Sequence, residues 1–113
     1  MTVLGGEPFE IENQRELLPF LKRVKKMYPD KTIWCFTGFT LEELLCETAR
    51  CCCEVTRELI SYIDILVDGR FVEEEKDISL RFRGSRNQRI IELKPTLETE
   101  CIVLWKEHSK EFY

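Results

Sequence analysis

The sequence predicts an α/β fold in one domain, residues 1–113, built around a mainly parallel sheet. Three observations lead there. β-rich runs alternate with stretches whose apolar residues recur at helical spacing, the pattern of successive βαβ units. The run IDILVDG (Ile63–Gly69) is apolar on both sides, as a parallel strand covered by helices is. Polar turns follow the three leading strand candidates, and in parallel sheets chemistry gathers at the carboxyl ends of the strands.

The elements follow in order. Thr2–Leu4 reads as a strand fragment ended by Gly5-Gly6. Asn13 with Glu16 has the spacing of a capping box, and Leu17, Leu21, Val24 and Tyr28 recur at helical spacing beside Lys22, Arg23, Lys25 and Lys26. Pro19 either opens that helix or removes one of its backbone bonds. After Pro29-Asp30, KTIWCFTGF (Lys31–Phe39) is a buried strand closed by Gly38. Thr40 with Glu43 forms a second capping box ahead of Leu41, Leu44 and Leu45, and helix resumes from Val55 to Tyr62. The strand at Ile63–Gly69 leads into a long loop over Arg70–Gln88, then strands at RIIEL (Arg89–Leu93) and CIVLW (Cys101–Trp105), and a charged tail.

Composition narrows the function classes. With 43% apolar and 34% charged residues the chain is of the globular type, and no apolar run approaches the ~20 residues that span a bilayer. The expectation is a cytoplasmic protein with no membrane partner, since no basic, apolar and small-residue series marks secretion. A net charge of −4 argues against a nucleic-acid surface. The six cysteines (Cys35, Cys46, Cys51, Cys52, Cys53, Cys101) are then expected as reduced thiols.

Each motif has a bland reading beside the chemical one. Gly5-Gly6-Glu7-Pro8 allows a close backbone approach to a ligand beside one carboxylate, yet Gly and Pro are also ordinary turn residues. Thr37-Gly38 and Asp68-Gly69-Arg70 are the other two strand-end turns, and three in succession weigh more than any one. Arg81, Arg83, Arg86 and Arg89 could hold a carboxylate or phosphate, or simply form a solvated positive loop. The segment CETARCCCE (Cys46–Glu54) invites a metal site, but adjacent cysteines on a helix point about 100° apart, and the chain has no Cys-x2-Cys pair. His108 is the only histidine and lies in the charged tail, which gives Cys/His or Ser/His/Asp catalysis little support.

Taken together and in this order, TVLGGEPFE, KTIWCFTGF, IDILVDGRF and FRGSRNQRIIEL resemble the activating proteins of anaerobic ribonucleoside-triphosphate reductases, glycyl-radical activases of the radical S-adenosylmethionine (SAM) superfamily. The resemblance implies a partial (β/α) barrel, here missing its first strand and helix. It implies a [4Fe-4S] cluster and SAM at the strand carboxyl ends, and reductive cleavage of SAM that makes a glycyl radical on the partner reductase. The protein's part in such chemistry is position and water exclusion. Its partners would be the glycyl-radical subunit of the reductase and a reducing flavoprotein or similar electron donor. By the same resemblance Gly5, Gly6, Glu7 and Pro8 match the turn that receives the amino group of the SAM methionine moiety. By that resemblance too, Thr37, Gly38 and Asp68 match strand-end positions that line the same cavity, and Arg70 matches the place where related activases have a cationic SAM contact. The run Arg83, Gly84, Ser85, Arg86, Asn87, Gln88, Arg89 resembles the family's loop beside cofactor or reductase.

The chain departs from the family in one large respect. It has no Cys-x3-Cys-x2-Cys loop, so no cluster ligand is carried over to any residue, and the chain alone is expected to be inactive. An exposed edge on Thr2–Leu4 would favour self-association. The alternatives are a cluster-free remnant that binds SAM or the reductase, and a Cys-rich metal-binding protein using Cys46, Cys51, Cys52 and Cys53.

Overall fold

The structure is a computed structural model that describes residues 2–3, 6–70, 72, 74, 76, 83 and 87–105. Its elements are β1 (Thr2–Val3), α1 (Ile11–Met27), β2 (Trp34–Phe36), α2 (Leu41–Leu45), α3 (Thr56–Ser61), β3 (Ile65–Asp68), β4 (Arg89–Glu92) and α4 (Leu93–Thr99). The strands form one sheet in the order β1-β2-β3-β4. β1 pairs with β2, and β2 with β3, in parallel; β4 returns antiparallel along β3, Asp68 opposite Arg89 and Ile65 opposite Glu92.

The helix α1 buries Gln14, Leu18 and Leu21 and packs Leu17 and Val24 against the core, one stripe at helical spacing. Tyr28, expected on that stripe, is exposed just past the helix end. The helix begins at Ile11 rather than at Asn13, and its cap residue Glu10 makes no side-chain cap. The Asn13 amide donates instead to the Glu7 carbonyl at 2.8 Å, a tertiary use that replaces the capping box the spacing predicts. Pro19 lies within the helix on its exposed side, where the lost bond to the Arg15 carbonyl can be made good by water.

Only Trp34–Phe36 of the second strand candidate is strand, with Cys35 buried and its neighbours half-buried. The α2 capping box forms as its spacing predicts: the Glu43 amide donates to the Thr40 hydroxyl at 3.2 Å and the Thr40 amide to Glu43 Oε1 at 2.8 Å. All four residues of β3 are buried. On one face of the sheet Cys35, Leu66 and Ile91 meet Leu21, Leu44, Leu59 and Ile60 from the helices. On the other, Trp34 meets Trp105 edge to face with ring centroids 5.2 Å apart.

The carboxyl-terminal region differs from expectation. Residues 93–99 form α4, not part of a strand, because Pro95 falls in the first turn, where its missing N–H costs nothing. Glu100, at φ 59° in the left-handed region, ends the helix and donates its amide to the Thr96 carbonyl at 2.9 Å. Cys101–Trp105 is accordingly no strand. It touches β4 through one bridge, Ile91 with Leu104, flanked by bonds from Glu92 N to Val103 O and from Trp105 N to Ile90 O. No described helix is long and apolar enough to cross a membrane.

Candidate functional site

Parallel pairing of β1, β2 and β3 brings their three following turns to one edge of the sheet. The Glu7 carboxylate joins the first two turns. Its Oε2 accepts from the Phe9 amide at 2.9 Å and the Thr37 hydroxyl at 2.6 Å, and its Oε1 accepts from the Gly38 amide at 2.7 Å. Thr37 continues the chain of bonds by accepting from the Phe39 amide at 3.1 Å and donating its own amide to the Val67 carbonyl at 3.0 Å. Gly38 is glycine because of this approach: a Cβ there would stand 3.3 Å from Glu7 Oε1 and 3.9 Å from Arg70 Cγ. Gly6 lies in the left-handed region at φ +60°, exposed, with no atom within 4 Å of where a Cβ would project.

The third turn is held differently. Asp68 is 1% exposed, yet its carboxylate accepts from the Leu41 amide at 2.8 Å and from two nitrogens of Arg89. Arg89 extends to Glu42, with Nη2 2.6 Å from Oε1, so one guanidinium ties β4, the end of β3 and the first turn of α2. Both carboxylates hold the guanidinium charged, and Arg89 in turn lowers the pKa of Glu42. Gly69, at φ +96°, donates its amide to the Phe39 carbonyl at 2.9 Å. The following segment clasps this turn. Gln88 Nε2 donates to the Gly69 carbonyl at 3.0 Å, Asn87 Nδ2 to the Arg70 carbonyl at 2.7 Å, and Arg83 to the Gln88 carbonyl at 2.6 Å.

Glu7, Thr37, Gly38 and Arg70 therefore gather at one edge, with buried Pro8 beneath the turn and Asp68 sealed behind it. Gly5, Gly84, Ser85 and Arg86, with Arg81, lie outside the described residues. Gln14 is the functional support that motif reading missed. Fully buried, it donates to the Phe9 carbonyl at 2.8 Å and the Cys51 carbonyl at 2.6 Å and accepts from the Thr56 hydroxyl at 2.5 Å. Its signal was present: a polar residue on the apolar stripe, four positions before Leu18 and seven before Leu21.

The thiols do not make a cluster site. Cys35 lies in the core, where burial pushes its thiol up to about 12; burial also raises Cys51. Cys46 and Cys101 are exposed, and no three Cys, His, Asp or Glu side chains among the described residues are disposed to hold a metal ion. These residues do not fit a [4Fe-4S] group, which needs converging thiolates.

Comparison with known proteins supplies the family. Residues 1–91 match the family model described as a 4Fe-4S single cluster domain. The chain is 46% identical over 90 residues to the anaerobic ribonucleoside-triphosphate reductase-activating protein of Pasteurella multocida, covering 80% of this chain and 53% of that protein. The proteins of the same name from Haemophilus influenzae and Escherichia coli K12 are 44% and 34% identical over 94 residues, each alignment covering 83% of this chain and 56% of the relative. The chain thus spans about half the length of the curated relatives it matches. No solved structure matches it. By the extent of the family-model match, the chain belongs to the 4Fe-4S single cluster domain family, and its curated relatives carry the name of anaerobic ribonucleoside-triphosphate reductase activators.

Proposed function

We propose that this chain is the SAM-binding and reductase-facing part of an activator of anaerobic ribonucleotide reductase, of the radical SAM type, with its sheet forming part of a (β/α) barrel. In this reading the complete activator makes a glycyl radical on the reductase through reductive cleavage of SAM, with electrons from a flavoprotein or similar donor, in the cytoplasm. The six thiols of this chain do not fit the cluster, so the chain alone is read as inactive. What its own residues can do is bind and orient. The rigid turn at Gly6-Glu7-Pro8 would receive the amino group of SAM, and the Arg70 cation would face its carboxylate.

The observation that carries the reading is the use of the Glu7 carboxylate as a brace. Bonds to Phe9, Thr37 and Gly38 fix the turn against the end of β2 while the outer side of Gly6 stays open. Such preorganisation lowers the ordering cost of binding. The β1 strand has one sheet neighbour among the described residues, which supports self-association along its outer edge.

Calorimetric titration of the folded chain with SAM tests the reading. The variant Gly6→Asn keeps a residue that tolerates the left-handed region and places a side chain in the open space. The expected result is saturable binding by the parent chain and at least roughly tenfold weaker binding by the variant, about 1.4 kcal/mol, with Tm unchanged. Equal affinity, or no binding by the folded parent chain, would overturn it.

A further inference from the structure

A [4Fe-4S] cube needs several thiolates converging on one point, each deprotonated and free to leave its other contacts. Five of the six cysteines fall within the segment that matches the 4Fe-4S family, so the family match by itself would make the loop between α2 and α3 the natural place to look. The geometry points elsewhere. We infer that this cysteine-rich loop is an architectural loop hung on Gln14, and that a cluster carried by this fold takes its thiolates from polypeptide other than these 113 residues.

The loop is wound in consecutive turns: Ala49 N donates to Cys46 O at 3.0 Å, Cys52 N to Ala49 O at 3.1 Å, and Thr56 N to Cys53 O at 3.2 Å. Its inward-facing groups converge on one amide. The Cys51 carbonyl accepts from Gln14 Nε2, while the Cys53 thiol, at 3.4 Å, and the Thr56 hydroxyl donate to Gln14 Oε1. Thr56 Oγ1 also accepts from the Cys53 amide at 2.8 Å. Two ion pairs pin the loop to the start of α1 from outside: Arg15 forks onto Glu54, and Arg50 reaches Glu10 at 3.3 Å.

Each thiol consequently has its own surroundings. Cys51 packs in the core, Cys53 faces Gln14, Cys46 sits on the surface 3.2 Å from the Thr48 hydroxyl, and Cys52 is half-buried. Cys35 lies in β2 at the centre of the core, and Cys101 lies just beyond α4. Any three of the four loop thiols include Cys51 or Cys53, so bringing them together would draw Cys51 out of the core or break the Cys53 contact with Gln14, the residue that also holds the Phe9 carbonyl. The loop therefore braces the candidate site through Gln14.

Anaerobic reconstitution of the full chain with ferrous iron and sulfide tests the inference, with native thiols counted by a disulfide reagent in an aliquot taken before iron and sulfide are added. The expected result is iron and sulfide no higher than in a cysteine-free control protein and no low-temperature resonance signal after reduction. Cys46 and Cys101 should react at once, Cys52 and Cys53 slowly, and Cys35 and Cys51 only on unfolding. Two outcomes would overturn it. One is a stoichiometric four-iron cluster in a chain of unchanged circular dichroism, lost in Cys51→Ser or Cys53→Ser; the other is equally fast reaction of all six thiols in the folded protein. The SAM titration reads separately, since it needs no cluster.

Discussion

Asp68 and Arg89 form a forked ion pair across β3 and β4, with Arg89 Nε 3.0 Å from Oδ1 and Nη2 2.6 Å from Oδ2. The antiparallel register sets Arg89 directly opposite Asp68, and the carboxylate is buried. The pair thus supplies, from within the chain, the positive charge that a carboxylate in the interior requires.

Removing that charge should be costly. Arg89→Ala is expected to lower stability by roughly 3–5 kcal/mol in denaturant unfolding, because Asp68 would stay buried with only the Leu41 amide. Asp68→Asn combined with Arg89→Ala should cost less than the two single changes summed. Strict additivity would show that the two side chains act independently.

The Glu7 brace makes a second prediction. Glu7→Gln keeps the length but turns one acceptor oxygen into a donor, which must then face the Gly38 amide or the Thr37 and Phe9 donors. A loss of roughly 1–3 kcal/mol is expected, measured by urea unfolding. A change within error would mean that water replaces these bonds freely.

Gln14 makes a third. Gln14→Leu conserves bulk but strips partners from the Phe9 carbonyl, the Cys51 carbonyl and the Thr56 hydroxyl. At roughly 1–3 kcal/mol for each buried group left dry, a total loss of no less than about 3 kcal/mol is expected. Faster modification of Cys53 in the folded state should accompany it, and unaltered thiol kinetics would count against the hub.

Cys35 predicts an alkaline instability. Burial, with a smaller contribution from the Glu7 charge, raises its thiol from 9.0 to about 12 in the folded chain. The folded state therefore holds its proton where the unfolded state releases it. This contribution is complete below about pH 9 and is lost as pH rises toward about 12, a total on the order of 4 kcal/mol. Unfolding midpoints measured across that range should fall for the parent chain and fall less for Cys35→Ala. Parallel curves would place the alkaline effect on other groups.

Local chemistry was the legible part of this sequence. Thr40 and Glu43 cap α2 because both partners lie within one turn, whereas Asn13 and Glu16 share the spacing but lose Asn13 to the Glu7 carbonyl. The helix α4 was hidden by Pro95, which stops a helix in its interior yet suits its first turn, and Cys101–Trp105 has the residues of a strand but only one bridge to pair with. For the candidate site, alternation of strand and helix was enough to bring Glu7, Thr37 and Gly38 together. It was not enough to show that Asp68 is neutralised by a residue 21 positions later, since that depends on the direction and register of β4. Nor could spacing show that Glu7 braces its own turn, because two of the three donors it meets, the Thr37 hydroxyl and the Gly38 amide, are set by the pairing of β1 with β2.

The amide of Gln14 also sets an order of events in time. Its bond to Phe9 closes a loop of five positions, while those to Cys51 and Thr56 close loops of 37 and 42. Loop-closure entropy must be met before such distant contacts contribute, so the hub is completed only after α1 and α3 have docked. Gln14 should consequently have a low φ-value, and changing it should speed unfolding while leaving the folding rate nearly untouched. The residue that braces the strand-end turn is in that sense a latch: it governs how long the chain stays folded, and has little influence on how soon it folds.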